Sequence, residues 1–151
     1  MPAAFAFLHH VAAFALTAAL AIEMVLVRGE LTARNARTVL VADLTFGASA
    51  GAILIVGFLR VLYFEKGASY YFHSIPFIAK LTLFAVIGLL SIYPTVQFLS
   101  WRRSVKKGAA PAVPLAKLKT IRLILNCELA CLVVLVLCAA LMARGIGFMG
   151  A

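Results

Sequence analysis

Acidic residues are scarce in this chain: five Asp and Glu stand against 14 Lys and Arg, for a net charge of +9. Charge of either sign is scarce as well, at 13% of residues, where soluble domains carry about a quarter. With 65% hydrophobic residues and a mean hydropathy of +1.09, that shortage excludes an ordinary soluble domain and marks an integral membrane protein. Room is short too. Four crossings at ~20 residues each use most of the 151 residues and leave none for a separate soluble domain. Cysteine is sparse and lacks metal-type C-x2-C spacing. Cys127, Cys131 and Cys138 all fall in the last apolar run and read as small buried packing residues. Cys127 and Cys131, one turn apart, have a soft ion such as Cu(I) as their alternative use. Also missing is a basic start: MPAAFAFLHHVAAFALTAALAIEMVLVRGE is apolar from Ala3 to Val27, and its positive charge follows the run. That run is too long for a signal-peptide core, so it reads as a retained helix with its N-terminus outside.

What is present is four apolar runs, about residues 3–27, 39–64, 77–99 and 123–143, forming one transmembrane domain over 1–151. The expected fold is all-α, a four-helix transmembrane bundle with short loops. The stretch WRRSVKKGAAPAVPLAKLKTIR holds seven Lys and Arg and no acid, and Arg28, Arg34 and Arg37 follow the first run. The positive-inside rule makes both segments cytoplasmic, so both termini lie outside. In a soluble protein such a surplus would point to nucleic acid. Placed in two loops, it sets topology and meets anionic lipid head groups, so the bilayer is the expected partner and nucleic acid is not. The loop EKGASYYFHSIP is nearly neutral and rich in aromatics, which suits the outer head-group region. In the second run, Gly47 and Gly51 form a G-x-x-x-G with Ala48, Ala50 and Ala52 beside them, a spacing that lets helices approach closely. Pro94 removes a backbone donor from the third run, and a kink is expected there.

The polar residues inside these runs sort into two layers. Near the outer face fall His9, His10, Arg60 and Lys80, with His73 just above. Near the cytoplasmic face fall Glu23, Asp43, Asn126 and Glu128, with Arg28 and Arg122 close by. At 100° per residue, His9 lies within about 40° of Glu23 on one helix face, through Ala13, Leu16 and Leu20, whereas His10 points roughly 140° away. A charge at the bilayer centre costs ~2.5–3.5 kcal/mol even on lenient insertion scales. The plain structural expectation is that the inner acids pair with Arg28, Arg37 and Arg122 and pin the helices. Outside, histidines and a lysine meet few acids. Such a set suits an anionic cofactor: for haem b, an imidazole of His9 or His10 ligates the iron while Arg60 and Lys80 meet propionates. Quinone or another acidic lipophile would use the same cations without the imidazole. For Lys80 the bland reading is that it snorkels to the surface.

His9-His10, ADLTFGASAG, GFLRVLYFEKG, PFIAKLTLFAVIGLLSIYPTVQFLSWRR and MARGIG together resemble an uncharacterised, domain-of-unknown-function family of small four-helix bacterial membrane proteins. The resemblance covers nearly the whole chain. That family is distantly similar to HemJ-type protoporphyrinogen IX oxidases and to CopD-type membrane domains. HemJ proteins bind haem b and rely on a histidine early in the first span and a lysine at the start of the third. His9 or His10 and Lys80 match those places, which implies cofactor or metal binding by the histidines and a catalytic role for Lys80. Tyr93-Pro94 stands where HemJ proteins have Tyr-His, and Arg122, Asn126 and Glu128 lack the proline of the HemJ pattern. These departures bear on the oxidase activity rather than on the fold.

The function expected is therefore a haem b-binding redox protein of the bacterial inner membrane. It would act on a porphyrin or pass electrons to a quinone, with His9, His10, Arg60, His73 and Lys80 around the cofactor. Two readings stand beside it. One is a small copper or ion transporter, for which the two layers mark an ion path. The other is an accessory subunit of a larger membrane complex, or a homo-oligomer, docked through the face around Gly47 and Gly51.

Overall fold

A computed structural model describes residues 2–59, 62, 75–144 and 146. They form four helices: α1 (Pro2–Arg28), α2 (Ala33–Leu59), α3 (Ile75–Lys106) and α4 (Leu115–Ala143). All four are long and apolar enough to cross a membrane. α1 packs along α2 and α3 along α4, and thinner seams between α2 and α3 and between α4 and α1 close the ring. The chain is thus a four-helix bundle in which sequence neighbours are spatial neighbours, as short connections require.

Local chemistry sets the turns. Thr32 caps α2, its hydroxyl accepting from the Asn35 amide at 3.1 Å, while the Asn35 side chain donates to the Glu30 carbonyl at 2.8 Å. α3 ends at Gly108, whose φ of +70° is the left-handed conformation that favours glycine. Its amide donates to the Val105 carbonyl and that of Ala109 to the Ser104 carbonyl, so a Schellman motif closes the helix. The basic stretch expected to be a long loop is largely helical. Arg102, Arg103 and Lys106 ride on the last turns of α3, and Lys117, Lys119 and Arg122 on the first turns of α4, leaving 107–114 as the connection. α3 runs through Pro94 as one helix, with the proline ring buried.

Packing is uneven along the bundle axis. At the end where α1 finishes, Val27, Ala36, Val39, Phe98, Trp101, Ile121 and Leu125 form the core, with Phe98 and Trp101 meeting edge to face at 5.0 Å. Ten of the 14 Lys and Arg lie on or beside that end, which is called the basic end below. Toward the opposite end the described residues bury less: none is fully buried in α1 before Leu16, in α2 after Ser49 or in α4 after Glu128. The outward faces carry Phe7, Phe14, Val25, Leu44, Leu89 and Val133, as a bilayer-facing surface requires.

The G-x-x-x-G of α2 does not mediate this packing. The inward face of α2 runs through Val39, Asp43, Phe46 and Ser49, so Gly47 and Gly51 turn to its flank. A Cβ at either glycine would meet nothing within 4 Å.

Candidate functional site

Helical register puts the polar residues at two levels. Glu23 on α1, Asp43 on α2, Thr95 on α3 and Glu128 on α4 share the level nearer the basic end. His9, Gly57 and Lys80 lie about 21–23 Å further up their helices at ~1.5 Å per residue, so both levels fit within the ~30 Å of a bilayer core. Leu16, Leu20, Phe46 and Ile87, all buried, fill the space between.

At the upper level the two adjacent histidines part company. His9 is half-buried and turns toward α2, where a Cβ on Gly57 would lie 3.5 Å from its Cε1. The ring thus lies close along the α2 backbone, at a distance where even a Cβ would be in ordinary van der Waals contact with it. His10 is exposed, and its Nδ1–H donates to the Ala6 carbonyl one turn back at 2.6 Å. The two rings stand edge-on, 6.2 Å apart between centroids. Lys80 is half-buried on α3, with its ammonium 5.7 Å from the centre of the Phe77 ring, itself buried. Arg60 and His73, expected to complete this layer, lie outside the described residues.

The lower layer is built differently from expectation. Glu23 (2% exposed), Glu128 (1%) and Asp43 (9%) are all buried. Glu23 is within electrostatic reach of both other acids, and Glu128 of Asp43. Yet the neighbouring arginines turn to neutral acceptors. Arg122 donates from Nε and Nη2 to the Val27 carbonyl at 3.1 and 2.9 Å, satisfying an orphan carbonyl in the last turn of α1. Arg28 donates from Nη2 to Oδ1 of Asn126 at 2.6 Å. Asp43 accepts a hydrogen bond from the Thr95 hydroxyl at 2.6 Å. Among the described residues, one oxygen of Glu23 and one of Glu128 are buried without any hydrogen-bond partner. Thr95 and Gly57 carry no sequence signal of their own; register relative to Asp43 and His9 is what exposes them.

Among the described residues no three His, Cys, Asp or Glu side chains converge on a common metal position. Cys127 faces outward and Cys131 packs against the core, so the pair does not form a thiol site turned into the bundle.

Residues 1–147 match the family described as "Predicted membrane protein (DUF2214)". The chain belongs to that family. The family carries no assigned activity, so its membership supports the membrane-spanning fold and leaves the chemistry to the residues. No curated protein and no solved structure matches the chain.

Proposed function

We propose that this DUF2214 protein is a haem b-binding redox protein of the bacterial cytoplasmic membrane, with its basic end in the cytoplasm and both termini outside. One observation carries the reading. His9, alone of the adjacent pair, turns into the bundle against Gly57, level with the half-buried Lys80, in the half where the described residues pack least densely. The donor set suits the group: an imidazole for iron, and cations for the carboxylates of an anionic cofactor.

In this reading His9 would ligate the haem iron and Lys80, seated over Phe77, would hold a propionate or the carboxylate of a porphyrin substrate. Arg60 and His73 are its further partners, on the strength of their sequence positions. The haem iron supplies one-electron exchange, for which a porphyrin or a quinone is the matching partner class. The chain's own share is to bind, orient and exclude water. Gly57 gives the imidazole a flat seat, Phe77 steers the Lys80 ammonium, and the Leu16–Leu20 layer seals the site from the basic end.

The test is an absorption spectrum of the purified protein with haem supplied. A Soret band that is lost when His9 and His10 are both replaced supports the reading. Absence of the band, or a band indifferent to that double replacement, ends it.

The accessory-subunit reading draws on a different observation, the open flank at Gly47 and Gly51. A stoichiometric partner co-purifying in mild detergent, and lost in Gly47→Leu, supports it; a homogeneous isolated bundle counts against it. The copper-transport reading has no such support, since the cysteines do not converge with His or acid.

A further inference from the structure

We propose that Glu23 and Glu128, with Asp43 beside them, form a proton-exchange site served from the basic end, the nearer one. This inference is independent of haem. Each of the two glutamates has one carboxyl oxygen fully inside the bundle with no hydrogen-bond donor among the described residues. Charge in such a place needs a cation, and among the described residues no Lys or Arg pairs with either glutamate. Arg122 is occupied by the Val27 carbonyl and Arg28 by Asn126. A multidentate metal ion is the wrong occupant, because no three ligating side chains among the described residues converge. A proton needs only one oxygen. Asp43 already has the Thr95 hydroxyl, so exchange is assigned to the two glutamates.

α1 contributes Glu23 and, at its end, Arg28. α2 contributes Asp43, while its Arg37 is exposed. α3 offers the Thr95 hydroxyl and the buried Pro94, whose missing N–H leaves the Leu90 carbonyl without its i+4 donor. α4 contributes Glu128, Asn126, Arg122 and the half-buried thiol of Cys131.

The shorter way out is to the basic end. Glu23 is about 7 Å from the end of α1 at ~1.5 Å per residue, past the close-packed Val27, Ile121 and Leu125 and toward the exposed Arg28–Asn126 pair. In the other direction the buried Leu16, Leu20, Phe46 and Ile87 block the way to the upper layer. A proton from hydronium on the basic side forms an O–H bond to a glutamate oxygen. The same bond breaks on release to water on that side, and no electron moves.

The test is infrared spectroscopy of the protein in lipid vesicles over a pH series. The expected signal is a protonated-carboxyl C=O band that shifts in D2O, fades as pH rises and weakens in both Glu23→Gln and Glu128→Gln. Glu30→Gln, in the turn after α1, leaves it unchanged. With the two sides of the vesicle buffered separately, the band follows the pH of the basic side alone. No protonated-carboxyl band at any pH, a band that survives both glutamine variants, or a response to the opposite side overturns the proposal. Should the variants fail to fold, carbodiimide labelling of the wild-type chain decides. Modification of Glu23 or Glu128 that declines as pH rises is expected, and absence of label on both overturns it.

Discussion

The guanidinium of Arg122 holds the carbonyl of Val27 through two hydrogen bonds, from Nε at 3.1 Å and from Nη2 at 2.9 Å. That contact spans α4 and α1, whose seam is one of the two thinner ones in the bundle. It also spends, on a backbone acceptor, the cation that stands nearest in sequence to Glu128. The fork geometry belongs to arginine. A lysine ammonium reaches the same carbonyl with one bond at most.

Arg122→Met is therefore expected to destabilise the bundle by ~1.5–3 kcal/mol, the range for hydrogen bonds from charged groups. Arg122→Lys should recover about half of that loss, within the same range of charge-assisted bonds. Reversible unfolding in mixed micelles measures both. Equal losses for the two variants would mean that charge, not the fork, is what α1 needs.

Thr95→Val removes the only hydrogen-bond donor to Asp43 among the described residues, at nearly constant volume, and should cost ~1–3 kcal/mol by leaving a buried carboxyl oxygen unmet. Thr95→Ser keeps the hydroxyl and should stay close to wild type in the same unfolding assay.

Gly57 and Gly108 answer differently to alanine. At Gly57 the new Cβ would sit 3.5 Å from the His9 ring, an ordinary contact, so Gly57→Ala should be neutral or stabilising by up to ~1 kcal/mol through helix propensity. Gly57→Leu, by contrast, should push the ring out of its seat and weaken haem retention. At Gly108 the φ of +70° makes alanine cost ~1–2 kcal/mol, though nothing crowds the position. Thermal unfolding of the two alanine variants should therefore move the melting temperature in opposite directions, or leave Gly57→Ala unmoved.

Much of the frame was readable from the residues alone. The four spans follow from run length, and the gathering of basic residues at one end follows from antiparallel order. That His9 and not His10 turns inward follows from a 100° step counted from Glu23. Partner choice among polar groups was not readable. Nothing in composition says that Arg122 prefers a helix-end carbonyl to a carboxylate; that depends on where α1 stops, and the last turn leaves Val27 without an internal donor. Facing of the small residues was equally hidden. Gly47 sits only one turn from the inward Asp43, and the choice between seam and flank rests on a rotation of a few tens of degrees. The reach of α3 past the apolar run to Lys106 was missed for a simpler reason: hydropathy detects the bilayer's edge, and the helix continues beyond it until Gly108.

The most direct measurement on the central claim, that the upper layer holds haem through the inward histidine, separates His9 from His10. Single His9→Ala and His10→Ala variants are purified side by side with haem supplied, and their Soret bands are recorded at equal protein. The account predicts that His9→Ala loses or shifts the band and that His10→Ala keeps it. A band that survives His9→Ala unchanged and is lost in His10→Ala would contradict it.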